Sequence, residues 1–336
     1  MAELFGSVDA LLATLGPYVR EPFAKTADSL SGSPFEWVRA GGRDYVLKHI
    51  GHDLDWLMRA LDDGVDGRPA YAAVCWREGL LDGLPATIDT TVVGMAHESG
   101  AHGSGRTAVL MRDVTPALVP GGSTAIPYEQ HRAFLGHMAQ MHARYWGFVD
   151  TYGLLAPGVR YTALTPAMSA REAAAGHDDP VPRYVPTGWA ALRLAEPKLH
   201  DRLLALATDP APLVTALAAT PRTLVHGDWK YGNLGSTVDG RTVLLDWAWV
   251  GADGPCVDLG WYLAVNCDRL PESKEDTIAA YRAALHAHGV DTAGWWEPQL
   301  DAALLGALVQ LGWSKSGPEL AWWARRVGRV AEELCS

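Results

Sequence analysis

Positive charge is scarce in this chain: 28 Lys and Arg stand against 39 Asp and Glu, a formal net charge of −11 over 336 residues. That balance argues against nucleic acid as the main partner, because phosphate backbones are bound by basic surfaces. It suits cationic or neutral partners, and it also serves plain solubility. Cysteine is scarce too. Cys75, Cys256, Cys267 and Cys335 are scattered with no CxxC pair or regular spacing, which suggests neither a zinc site nor a disulfide framework and fits reduced thiols. Long apolar runs are missing: no stretch reaches the ~18 uninterrupted apolar residues of a membrane helix. The opening "MAELFGSVDALLATLGPYVR" lacks the basic start and long apolar run of a signal peptide. The expectation is a soluble, cytoplasmic protein with no membrane partner. Internal repeats and low-complexity tracts are absent as well. What is present is 48% hydrophobic, enough for one large or two medium domains with an ordinary core.

Texture divides the chain near residue 115. Residues 35–50, "FEWVRAGGRDYVLKHI", read as two strands joined at Gly41-Gly42. "RPAYAAVCWREGLLDGLP" has helical spacing and ends in Gly and Pro. "TTVVGMA" and "TAVLMRDV" read as strands around the polar loop "HESGAHGSGR". From "YEQHRAFLGHMAQMHARYWG" onward the pattern is helical. Residues 148–195, rich in Pro, Gly and Ala with uneven periodicity, read as a variable insert whose "GHDDPVPRYVPTG" is an irregular excursion, and 258–334 as mainly helical and dense in tryptophan. The fold class is α+β, with an N-terminal domain at 1–115 and a C-terminal domain at 116–336.

One stretch interrupts the helices: "LVHGDWKYGNLGSTVDGRTVLLDWAWVG", residues 224–251. It reads as a strand ending at Asp228, then a hairpin around Asp239-Gly240 with Asn233 at its start and Asp246 at its end. An aspartate after a strand is usually a turn former or a helix cap, and a lysine in an alternating strand usually faces solvent. The ordered set demands more. Phosphoryl transfer needs a carboxylate to orient a hydroxyl, oxygen ligands for a cation, and positive charge on the phosphates. Asp228, Asn233 and Asp246 offer oxygen ligands of the kind that hard Mg²⁺ takes.

"HGDWKYGN", followed thirteen residues after Asn233 by the aspartate of "LLDW", resembles the signature of the aminoglycoside phosphotransferase and choline kinase family. The resemblance implies a bilobal protein-kinase-like fold: a small N-terminal sheet lobe, a hinge at 111–115 and a larger, mainly helical C-terminal lobe that also binds the acceptor. It implies Asp228 as the catalytic base or orienting residue, Asn233 and Asp246 as Mg²⁺ ligands, Asp258 in "CVDLGW" as a brace of the catalytic loop, and His226 as its scaffold. "SLSGSPFEWVRAGGRDYVLKHI" resembles the phosphate-covering loop, here Ser31, Gly32 and Ser33, leading to Lys48 on the α- and β-phosphates. Glu78 is the glutamate expected to hold that lysine. The backbone from Met111 to Asp113 is expected to meet the nucleobase. Lys230 occupies the place where protein kinases carry a lysine on the transferred phosphate. The chain departs from many relatives after Asp246, reading "DWAWVGADGP", which unsettles a second metal site.

The implied activity is transfer of the γ-phosphate of ATP or GTP to a hydroxyl of a small molecule: an aminoglycoside or other antibiotic, an amino alcohol, or a sugar. The alternatives are an idle nucleotide-binding module, a kinase of a primary metabolite, and a metal-dependent phosphohydrolase using His226 and Asp228. The acidic run at Asp268, Glu272, Glu275 and Asp276, and Asp178 with Asp179, are candidates to face a cationic acceptor or to be solvated surface. The tryptophans of the C-terminal half are expected in packing, the alternative being that one or two line the acceptor pocket, and His142 is expected as a satisfied core histidine.

Overall fold

A computed structural model describes residues 2–23, 30–62, 68–99 and 105–336. Asp28 and Ser29 of the glycine-serine loop and residues 100–104 of the polar loop lie outside the described residues. The strands, in chain order, are β1 (Leu4–Phe5), β2 (Tyr18–Pro22), β3 (Phe35–Ala40), β4 (Arg43–Gly51), β5 (Ile88–Asp89), β6 (Val92–Ser99), β7 (Gly105–Arg112), β8 (Thr223–Val225), β9 (Leu234–Ser236), β10 (Thr242–Leu244) and β11 (Gly251–Asp253). The chain forms two compact units: Met1–Gly122 with Tyr231–Ala248, and Ser123–Lys230 with Trp249–Ser336.

The first unit is built on a six-stranded sheet of order β1-β6-β7-β4-β3-β2. Its pairs are antiparallel except β1 with β6. Gly41 and Gly42 close the β3–β4 hairpin with φ of 56° and 72°, the left-handed pair that a two-residue hairpin turn requires. Alternation along β4 sends Tyr45 and Leu47 to one face, where they join Val38, Ala40, Ala96, Ala108 and Leu110 beneath Leu11 and Leu12 of the short helix Val8–Ala13. Each fully buried leucine there contributes roughly 1.5–3 kcal/mol. The same alternation leaves Lys48 on the opposite side of the sheet. The helix read in "RPAYAAVCWREGLLDGLP" spans Tyr71–Arg77 and stops at Glu78, where Gly79 takes φ +74°.

The hairpin read at Asp239-Gly240 is β9 with β10, antiparallel in the register Leu234↔Leu244, with Gly240 at φ +83°. β10 pairs in parallel with β5, so this hairpin completes a small sheet of the first unit.

In the second unit β8 and β11 pair antiparallel among helices that include Tyr128–Arg144, Cys256–Val265, Lys274–Ala287, Trp296–Leu311 and Gly317–Leu334. Helix 256–265 packs closely on helix 296–311. A Cβ at Gly260 would lie 2.9 Å from the Ala303 carbonyl oxygen, so a side chain there would push the helices apart. The irregular excursion expected in "GHDDPVPRYVPTG" is corrected: residues 180–195 form a helix, as do 157–162 and 166–174. Pro157, Pro166 and Pro180 sit in their first turns, where proline's fixed φ starts a helix and its missing N–H costs nothing. Among the described residues no helix is long and apolar enough to cross a membrane.

Candidate active site

In the second unit, β8 ends at Val225 and the chain turns through His226, Gly227 and Asp228. Gly227 adopts φ +83°, and a Cβ there would lie 2.4 Å from Arg160 Nη1 and 2.6 Å from both Trp249 Cβ and Trp249 O. Only glycine meets both demands. The turn is held from below by Asp258, which is fully buried on helix 256–265. Its carboxylate accepts the backbone N–H of His226 at 2.9 Å and of Gly227 at 2.6 Å, and the Trp229 indole N–H at 3.1 Å. His142 Nε2 lies 3.0 Å from Asp258 Oδ2, and its Nδ1 lies 2.5 Å from the Tyr281 hydroxyl. Burial alone would raise the Asp258 pKa. The hydrogen bond and charge of His142, with help from His226, outweigh it and hold the carboxyl below its usual range. His142 is therefore a satisfied core histidine that belongs to the brace.

His226 Nδ1 accepts the N–H of Asp228 at 3.1 Å, the scaffold geometry expected of it. Asp228 is only 3% exposed. Its Oδ1 accepts the indole N–H of Trp261 at 2.9 Å, and Lys230 Nζ lies 3.5 Å from Oδ2. Asn266 donates to the Trp229 carbonyl at 2.9 Å, fixing the far side of the loop.

In the first unit, Asn233 closes a short 3₁₀ turn and is buried. The Leu245 N–H donates to the Asn233 carbonyl at 2.9 Å, so the β9–β10 register puts Asn233 and Asp246 at the same end of the hairpin. Asp246 takes φ +64°, a left-handed conformation uncommon for a residue with a side chain. Lys48 Nζ lies 2.8 Å from Asp246 Oδ1. The lysine is 6% exposed, and a charge so buried requires such a partner.

Ser31, Gly32 and Ser33 lead into β3. Gly32 has φ +94°, the Ser31 hydroxyl donates to Ser33 Oγ at 3.1 Å, and the Trp56 indole N–H donates to the Leu30 carbonyl at 2.6 Å. The Ser33 hydroxyl donates to Asp55 Oδ2, whose other oxygen caps the helix Trp56–Ala60 by accepting from Leu57 N at 2.8 Å. Burial raises the Asp55 pKa, nearby Lys48 and Ser33 oppose the rise, and Asp246 adds to it.

One expectation is corrected here. Glu78 is not brought to Lys48: it sits at the C-terminal end of helix 71–77 and accepts from the neighbouring Arg77 Nε at 2.8 Å. The carboxylate in contact with Lys48 is Asp246, and the charge of Lys48 also acts on the Asp55 carboxyl. The Asp113 N–H donates to the Asp44 carbonyl at 3.1 Å, and its side chain accepts from Thr115 N at 2.9 Å. Met111 lies near the end of β7, opposite Val46 and Val92. The acidic run is also engaged. Glu272 lies 2.9 Å from His131 Nε2, Glu275 accepts from Trp322 Nε1 at 2.7 Å, and Asp276 accepts from Ser273 at 2.7 Å. Asp178 lies 3.3 Å from Arg183 Nη1.

Sequence reasoning missed Asp55 and Trp261. Asp55 looks like an ordinary helix cap in "GHDLDW", which it is as well. Trp261 carried a usable signal, three residues after Asp258 on one helix and so on the same face.

Among the described residues no group of three or more His, Cys, Asp or Glu forms a metal cage. The oxygens of Asn233 and Asp246 make a smaller, hard donor set, which fits Mg²⁺ because that ion keeps several of its waters.

The chain belongs to the phosphotransferase enzyme family, whose family model matches residues 2–295. Its fold is that of the kinase-like enzymes. It is similar to choline kinase LicA from Streptococcus pneumoniae, at 13% identity over 98% of this chain and 97% of that one, with a TM-score of 0.50. It is also similar to a thermostable mutant of aminoglycoside phosphotransferase APH(4)-Ia, at 16% identity over 97% and 98% of the two chains, TM-score 0.47. A microcompartment-associated aminopropanol kinase matches at 14% identity over 98% of both chains, TM-score 0.48. No curated protein matches the chain.

Proposed function

We propose that this phosphotransferase moves the γ-phosphate of ATP or GTP to a hydroxyl group of a small molecule in the cytoplasm. The observation that carries the reading is the Lys48–Asp246 contact: a strand lysine and a hairpin aspartate 198 positions apart meet at 2.8 Å. A fold has little reason to bury that pair on a left-handed aspartate unless both groups are wanted for chemistry.

The residues of the site divide the work. Lys48 leaves Asp246 for the α- and β-phosphates when nucleotide binds, and Asp55 supplies the negative charge that keeps the ammonium in place. Ser31, Gly32 and Ser33 cover the phosphates through their backbone. Asn233 and Asp246 would hold Mg²⁺, which supplies neutralising charge on the phosphate oxygens when bound. Asp228 takes the proton of the acceptor hydroxyl. The acceptor oxygen bonds to the γ-phosphorus as the bond to the bridging oxygen breaks, giving nucleoside diphosphate and a phosphorylated acceptor. Lys230, beside Asp228, steadies the transferred group, so Lys230→Met should lower turnover far more than nucleotide binding.

The net charge of −11 supports a cationic hydroxyl compound, an aminoglycoside or an amino alcohol, as the acceptor. The test is a nucleotide-consumption screen across aminoglycosides, other antibiotics, amino alcohols and sugars, with Asp228→Asn as the blank. Turnover lost in the blank supports the reading. Tight Mg-nucleotide binding with no transfer to any acceptor would instead favour an idle nucleotide-binding module.

A further inference from the structure

Trp261 is a second contact between helix 256–265 and the catalytic loop, and its role rests on the phosphotransfer reading of Asp228. Asp258 reaches the backbone of the loop from the first turn of that helix. Trp261, one turn later, reaches past it to the side chain: its Nε1–H donates to Asp228 Oδ1 at 2.9 Å. Both partners are buried, Trp261 at 6% and Asp228 at 3% exposure. An indole N–H donates, never accepts and does not titrate.

The ring is held in turn. Trp249 lies with its centroid 5.7 Å from that of Trp261 at an interplanar angle of 39°. The Trp249 carbonyl accepts from the buried Arg160 Nη2 at 2.8 Å, and the Trp249 Cβ stands where a side chain at Gly227 would fall. A carboxylate pinned through one oxygen cannot rotate about its Cβ–Cγ bond without losing a charge-assisted hydrogen bond.

We propose that Trp261 is a positioning residue: it fixes the plane of the Asp228 carboxylate, so that Oδ2 is set for the acceptor hydroxyl before the acceptor arrives. A tryptophan that merely filled the core would need no donor aimed at the reacting group.

The test has two readouts. In kinetics on the full chain, Trp261→Phe keeps an aromatic ring and removes the donor. It should lower kcat roughly 10- to 100-fold, as the loss of one hydrogen bond to a charged group does, with the KM values for nucleotide and acceptor moving little. Benzothienylalanine at position 261, which exchanges the N–H for sulfur at constant shape, should reproduce that loss and guards against a folding defect in the phenylalanine variant. Wild-type kcat in a folded variant overturns the proposal. The second readout needs no turnover: in protein labelled with ¹⁵N-tryptophan, the indole proton assigned by its disappearance in Trp261→Phe should move upfield in Asp228→Ala. An unmoved resonance overturns the proposal even if no acceptor is ever found. A moved resonance with no turnover by the wild type refutes the phosphotransfer reading and leaves the contact standing.

Discussion

His142 and Asp258, 116 positions apart, share a fully buried contact of 3.0 Å. That pair lets one carboxylate gather the backbone of His226 and Gly227 and the Trp229 indole while its remaining hydrogen-bonding capacity is met in the core. Removing either partner strands the other in the core.

Asp258→Ala should destabilise the protein by about 3–5 kcal/mol, read as a lower midpoint of urea denaturation. The pH dependence has a definite sign. The Asp258 pKa is depressed on folding, so its contribution is present above the unfolded carboxyl value and lost as pH falls through the folded one. The wild type should therefore lose stability below about pH 4, and the variant should lose less over the same range.

Gly227→Ala should fare about as badly. The position combines φ +83° with contacts of 2.4 to 2.6 Å for any Cβ, so strain and overpacking add. A loss of roughly 2–4 kcal/mol is expected, with a fall in melting temperature as the measurement. Gly240→Ala, also at φ +83° but with nothing near the added Cβ, should cost only about 1 kcal/mol.

Exchanging the acidic residues near Lys48 separates two assignments. Glu78→Gln should leave nucleotide affinity and turnover nearly unchanged, because Glu78 serves Arg77. Asp55→Asn should weaken nucleotide binding several-fold. Its effect on stability should have the opposite sign. The Asp55 carboxyl is pushed up by burial, so its stabilising contribution is full below the unfolded value and lost as pH rises through the folded one. Asparagine remains a good helix cap, and thermal denaturation at neutral pH should find Asp55→Asn at least as stable as the wild type.

Lys48→Met should lower kcat/KM by two to three orders of magnitude, on the scale of losing a preorganised charge at a phosphoryl centre. Isothermal titration with Mg-nucleotide should show weakened binding. A variant with the wild-type value for both quantities would remove Lys48 from the phosphate site.

Much of the fold and site was legible in the sequence because short-range chemistry announces itself. Gly41-Gly42 and Asp239-Gly240 mark hairpins that only a few residues can form, and the ordered Asp228, Asn233 and Asp246 follow their strands. Partner choice across long separations was not legible. Glu78 ends a helix beside Arg77, and Lys48 instead meets Asp246, 198 positions away, a pairing that no local pattern announces. The segment 180–188 was misread for a related reason. Proline breaks a helix from within and starts one from the first turn, and composition alone does not say where a turn begins.

Because Tyr231–Ala248 belongs to the first unit, β5 has no partner until β10 exists. During synthesis the first unit must wait, incomplete, while the whole segment from Ser123 to Lys230 is made. Cutting the chain after Gly122 would yield not a free-standing domain but a torso missing a sheet.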